Sequence, residues 1–179
     1  TEALSSKKTI IIKSWDLRFP ELVHKYREDI LGYFQPIKEV EKELDEYFAE
    51  LRSRYELIIG IHMRGGDYKE FMGGRYYYSV EAYSKIITHL NDVYKSKKVG
   101  FLIASNERVE QKDLPNVNIE FGPGSEITDL YALARCDLFL GPPSTFGTWA
   151  SFYGEVPSYT ILDAARLPQP EDFKVKETV

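Results

Sequence analysis

An α/β fold, a Rossmann-like parallel sheet with helices on both faces, is predicted by three features of this 179-residue chain. From residue 57 onward, short apolar runs alternate with helical patterns, the order that winds a parallel sheet by right-handed crossovers. The runs at 57–63 (LIIGIHM) and 99–104 (VGFLIA) are apolar nearly throughout, as strands covered on both faces must be. Each of the runs at 57–63 and 137–140 opens into a loop of glycine, hydroxyl and charged residues. In open α/β sheets, ligands sit outside the carboxyl ends of the strands.

The elements follow in order. Residues 8–13 (KTIIIK) are a β-branched run that reads as a strand. Pro20 opens a helix in which Leu22, Val23, Tyr26, Ile30, Tyr33 and Phe34 recur at three- and four-residue steps. Pro36 ends it, and a second amphipathic helix carries Ile37, Val40, Leu44, Tyr47, Phe48 and Leu51 as a core-packing face. After the strand at 57–63 comes a glycine- and tyrosine-rich loop, 64–78. Ser79 is an N-cap, with Val80, Tyr83, Ile86, Ile87 and Leu90 on one face of the helix behind it. The strand at 99–104 ends at Ser105-Asn106. A short strand at 117–121 leads to Gly122-Pro123-Gly124, and Ser125 or Thr128 caps a helix running to Arg135. A strand at 137–140, a helix starting near Ser144 and a last strand at 156–162 complete the series. The chain thus divides into an N-terminal strand and connecting helices (1–55), a Rossmann-like core (56–167) and a polar tail (168–179) expected to be loose, within one compact domain.

Composition narrows the function. Hydrophobic residues at 43% and charged residues at 28% are ordinary globular values. A net charge of −5 argues against nucleic acid as a partner, though placed arginines still allow a phosphorylated small ligand. The single cysteine, Cys136, excludes an internal disulfide and a multi-cysteine zinc site, and its apolar setting makes it a small core residue. No run approaches the length of a transmembrane segment and no signal peptide is visible, so a cytoplasmic setting is expected. The phosphate-loop, dinucleotide and nucleophile-elbow patterns are missing. His24, His62 and His89 lack metal-ligand spacing, so no metal is expected.

Four places can carry chemistry. Arg64 leaves a buried strand and is followed by Gly65 and Gly66, which permit close backbone approach, so its guanidinium can fork onto a phosphate. The structural alternative is an ion pair with Asp67. Ser144 and Thr145, at a helix start, offer hydroxyls and free N–H groups to an anion, although an N-cap serine needs no ligand. Asp129 suits the first turn of a helix with or without a function. His62 alternates with apolar neighbours, where a hydrogen-bonded core histidine is the usual finding.

Two of these segments carry a family resemblance. His62-Met-Arg-Gly-Gly-Asp-Tyr68 resembles the H-x-R-R-x-D-Y signature of the α-1,2-, α-1,6- and protein-O-fucosyltransferase superfamily. The stretch from Asp129 through Cys136-Asp137 and Pro143-Ser144-Thr145-Phe146-Gly147 to Trp149 is similar to that superfamily's second block, in the same order and about eighty residues on. Residues 26–34 (YREDILGYF) resemble the connecting helix of the bacterial α-1,2 members. The resemblance implies the donor-binding half of a GT-B fold that takes GDP-fucose without a metal or other cofactor and passes the sugar, with inversion, to a glycan hydroxyl. By position, Arg64 would hold the β-phosphate, with Gly65, Gly66 and Asp67 in its loop. His62 and Asp129 would contact guanosine, and Ser144, Thr145 and the backbone at Phe146 the pyrophosphate. Gly65 stands where the family has a second arginine, and no acceptor-side glycine motif is present. Three rival readings are therefore a non-catalytic nucleotide-sugar-binding module, a transferase using a different nucleotide sugar, and a structural α/β domain whose loops are merely caps and turns.

Overall fold

The computed structural model describes residues 19–176. Five strands, β1 (Leu57–Met63), β2 (Val99–Ser105), β3 (Ile119–Phe121), β4 (Leu138–Gly141) and β5 (Ser158–Thr160), form one sheet in the order β3-β2-β1-β4-β5. All four pairings are parallel. The helices are α1 (Pro20–Lys25), α2 (Arg27–Tyr33), α3 (Lys38–Arg54), α4 (Val80–Val93), α5 (Glu126–Leu133) and α6 (Thr145–Gly154). The expected α/β architecture is the observed one.

Strand pleat explains how one sheet serves two cores. Successive side chains on β1 point to opposite faces. Leu57, Ile59, Ile61 and Met63 meet Tyr83, Ile86, Ile87 and Leu90 of α4. Ile58 faces the other way, into a cluster with Leu44, Phe48 and Leu51 of α3, Tyr131 and Leu133 of α5, and Ala150 of α6. At roughly 1.5–3 kcal/mol for each large apolar side chain fully buried, the two layers are what hold the central strand in place. His62, next in the second register, is carried to the α3/α5/α6 face.

Cys136 is buried as expected and donates its thiol to the Ala132 carbonyl. Its neighbour Asp137 accepts the Ile58 N–H at 2.7 Å and also binds Arg52, so this part of the second motif fastens β4 to β1 and α3.

The strand foreseen at 8–13 lies outside the described residues. Several other expectations are corrected. The helix foreseen from Pro20 is two short helices meeting at Tyr26, and neither buries a residue. Of its apolar positions, Phe34 packs edge-on against Trp149 of α6, and its carbonyl accepts the hydroxyl of Tyr131 of α5 at 2.7 Å. β3 and β5 are shorter than foreseen, and Val117 and Val156 pack into the two cores from positions before the strands. The tail is docked rather than loose through Lys174: Phe173 is buried and Lys174 bridges antiparallel to Ser158 of β5.

Candidate functional site

The strand order fixes where a ligand can lie. From β1 the chain steps outward to β2 and β3, then returns to place β4 on the other side of β1. The crevice outside the carboxyl ends of β1 and β4 is therefore the topological switch point. The segments singled out in the sequence, after Met63 and after Leu140, flank it.

After β1 the chain makes a short 3-10 turn, Gly66–Lys69, entered through Gly66 at φ +51°. Arg64 lies on its outer side and forks onto Asp67, Nε to Oδ1 at 3.0 Å and Nη2 to Oδ2 at 3.1 Å. Its guanidinium also stacks over Tyr68. The ion pair weighed as the alternative is thus present, and the Arg64 hydrogen bond holds the Asp67 carboxyl below its ordinary range. Both side chains are partly exposed, so the pair is a weak tether. Tyr68 is buried, and its hydroxyl donates to the Pro143 carbonyl at 2.6 Å. That bond joins the β1 loop to the β4–α6 turn.

On the β4 side, Ser144 caps α6, its hydroxyl accepting the Phe146 N–H at 3.1 Å, while Thr148 donates to the Ser144 carbonyl at 2.9 Å. The Phe146 amide expected for pyrophosphate is therefore already engaged within the protein. Thr145, the first helical residue, is exposed. The Phe146 ring stacks on His62, centroids 4.8 Å apart and planes inclined by 29°. Gly141 is required here, since a Cβ on it would stand 2.8 Å from the His62 Cβ and 2.9 Å from its carbonyl oxygen.

His62 departs from the expectation of a hydrogen-bonded core histidine. It is buried, and among the described residues its Nδ1 has no hydrogen-bond partner. Burial, assisted by the Arg64 charge, pushes its pKa down to about 4, so the ring is neutral at physiological pH. A buried polar atom without a partner costs about 1–3 kcal/mol, which a ligand or water atom would relieve.

Asp129 is set apart from this group. It lies in the first turn of α5, beyond β3, half-buried and accepting the Gly124 N–H at 3.3 Å. Burial raises its pKa. Ser125, not Thr128, is the N-cap, and the two form a capping box. The structure thus gathers His62, Arg64, Gly65, Gly66, Asp67, Ser144, Thr145 and Phe146 around β1 and β4, with Asp129 apart from them in the first turn of α5.

Sequence reasoning missed Tyr68 as the link between the loops, and it missed Asn106 and Glu107. The latter two follow β2, the other neighbour of β1, and reach the Gly65 and Gly66 amides at 2.7 and 3.0 Å. A polar pair directly after a buried strand was the available signal. Among the described residues no three His, Cys, Asp or Glu side chains converge as a metal site, and no helix is long and apolar enough to cross a membrane. A wide groove of about 400 Å³ lies elsewhere, between the α4 flank and Leu167, and contains none of these residues.

The sequence pattern of glycosyl transferase family 11 matches residues 17–177. The chain belongs to that family, within the fucosyltransferase superfamily whose motifs it carries. No curated protein matches its sequence. Among solved structures, POFUT1 in complex with GDP-fucose is similar with a TM-score of 0.57 at 13% identity, covering 79% of this chain and 47% of that one. A mutant of Arabidopsis thaliana FUT1 in complex with GDP gives a TM-score of 0.54 at 15% identity, covering 86% of this chain and 42% of that one. At such identities the likeness is one of fold. The chain spans less than half the length of these structures.

Proposed function

We propose that the chain is the donor-binding half of a metal-independent, inverting fucosyltransferase that transfers fucose from GDP-fucose to a glycan hydroxyl in a cytoplasmic setting. The observation that carries this reading is the placement of Arg64, whose charge acts on the neutral His62, and of the His62–Phe146 stack at the β1/β4 switch point, in a chain of glycosyl transferase family 11. The complexes of POFUT1 with GDP-fucose and of FUT1 with GDP support the choice of nucleotide.

In this mechanism Arg64 exchanges Asp67 for the β-phosphate, making the same forked contact with an anion of higher charge. As the sugar–oxygen bond breaks, its electron pair moves onto the diphosphate. Arg64 stabilises that charge where a metal would otherwise do so, a preorganised electrostatic role. The acceptor oxygen attacks from the opposite face, inverting the anomeric centre, and its hydroxyl proton passes to solvent water. His62, unprotonated, and Asp129, an acceptor for the guanine N–H groups, contact guanosine. Ser144 and Thr145 contact the pyrophosphate from the start of α6.

A second reading, a nucleotide-sugar-binding module without turnover, is favoured by Gly65, whose lost side chain leaves one cation fewer beside the diphosphate. A thermal-shift comparison of GDP and UDP, with and without EDTA, tests the binding proposal, since a ligand at a hundred times its Kd adds about 2.7 kcal/mol of stability. GDP should raise the melting temperature more than UDP, and EDTA should leave the shift intact. No shift at millimolar GDP would refute donor binding, and abolition by EDTA with rescue by magnesium would refute metal independence. Turnover of GDP-fucose with glycan acceptors separates the transferase from the binding module.

A further inference from the structure

The turn after β1 carries a second cation that the proposed chemistry leaves unused. Lys69 shares the turn with Asp67 and Tyr68, and its Nζ lies 2.6 Å from Glu107 Oε1. Glu107 reaches in from beyond β2, and the same carboxylate oxygen accepts the Gly66 N–H at 3.0 Å. Asn106 beside it accepts the Gly65 N–H at 2.7 Å. A Cβ on Gly65 would stand 2.1 Å from the Glu107 Cδ, so the bare backbone at residue 65 is what admits this carboxylate. Arg64, Gly65 and Glu107 line one cavity of about 30 Å³, space for a water molecule and too little for a phosphate.

Arg64 and Lys69 are thus each held by a carboxylate, Arg64 by Asp67 and Lys69 by Glu107. The Lys69 and Glu107 side chains are 51% and 36% exposed, and ion pairs so placed contribute little to folding. Stability does not account for an acidic side chain reaching across from β2 to the one glycine of the loop that makes room for it.

We propose that Lys69 is a second diphosphate-binding residue of the donor site, and that Glu107 is the counter-ion it gives up when the diphosphate enters. The inference rests on the nucleotide reading above and deepens it. A diphosphate carries more charge than the single Glu107 carboxylate and displaces it from Lys69 and from the Gly66 amide. A ligand without phosphate has nothing to exchange. Glu107 therefore opposes every anion that enters and favours those with enough charge to overcome it.

Calorimetric titration of the full chain and of its Lys69→Ala and Glu107→Gln variants, each with GDP, inorganic pyrophosphate and guanosine, tests this. Glu107→Gln keeps a carbonyl oxygen for Gly66 while removing the charge. Lys69→Ala should weaken GDP and pyrophosphate about tenfold, the loss of one hydrogen bond to a charged group. Glu107→Gln should tighten both, and guanosine should bind all three proteins alike. Unchanged pyrophosphate and GDP affinity in Lys69→Ala would overturn the assignment, as would weaker binding in Glu107→Gln, which would make the pair a clamp that must stay closed. If GDP binds none of the three, the donor reading falls, and pyrophosphate decides Lys69 alone. Binding that tightens in Glu107→Gln and is lost in Lys69→Ala retains it, and no pyrophosphate binding to Glu107→Gln removes it.

Discussion

The loop after β1 and the turn after β4 face one another across the switch point and are built on opposite plans. In the first, Arg64 pairs with Asp67 and Lys69 with Glu107 at the surface, while Tyr68 is driven inward. In the second, Gly141 and Pro142 are buried, Ser144 closes the helix end upon itself, and Phe146 packs on a neutral imidazole. The β4 side is fixed by close contact, which tolerates little change, whereas the β1 side is fixed by exposed ion pairs, which exchange at small cost. A site that must grip and then release a charged leaving group needs one wall of each kind.

Acid should strain the packed wall most. The His62 pKa is depressed from 6.5 to about 4, so the unfolded chain binds the proton more tightly than the folded one. Stability is then full above pH 6.5, falls as the pH drops through the interval to about 4, and levels off below it. A depression of about 2.5 units corresponds to a loss of up to roughly 3 kcal/mol. Denaturant unfolding at pH 7 and pH 4.5, compared with a His62→Gln variant, should show the wild type losing more. Equal losses would mean that His62 is hydrated rather than buried.

The exposed wall should respond in binding and not in stability. Arg64→Ala should weaken GDP by about 1.5–3 kcal/mol, lose much less for GMP, and melt at the wild-type temperature. Arg64→Lys should recover only part, because an ammonium cannot fork. A lowered melting temperature with equal losses for GMP and GDP would make Arg64 a structural partner of Asp67.

The smallest effect tests the join between the walls. Tyr68→Phe removes the hydroxyl that donates to Pro143 and should lower stability by about 0.5–1.5 kcal/mol. If the two walls act together, GDP affinity should fall as well. Unchanged affinity would show that each wall is positioned independently.

The same contrast explains what the sequence revealed. The elements that frame the site were legible because their signals are local: an apolar run foretold β1 with its observed limits, and Ser144 caps the helix of the packed wall as Ser79 and Ser125 cap the helices they precede. The partners of the exposed wall come from distant segments, Glu107 being 41 residues from Gly66, and no spacing rule connects them until β2 is known to lie beside β1. The first helices misled for a different reason. Leu22, Tyr26 and Tyr33 repeat like a core face but remain exposed, because α1 and α2 are too short to lie along the sheet. The orphaned Nδ1 of His62 was illegible too, since a strand pattern gives the face of a residue and not its hydrogen bonds.

The docked tail has a consequence for solubility. β5 is an outer strand of the sheet, and an outer strand offers unpaired amides and carbonyls to any other chain that can extend alongside it. Lys174 exchanges both backbone hydrogen bonds with Ser158, and Phe173 beneath it is buried, so the chain occupies part of its own growing edge. At the opposite margin β3 is only three residues long, and its Glu120 is held by Arg54 and Tyr55. Short, charged or self-covered margins keep a parallel sheet from adding strands end upon end, and here both margins are protected by residues outside the proposed nucleotide site.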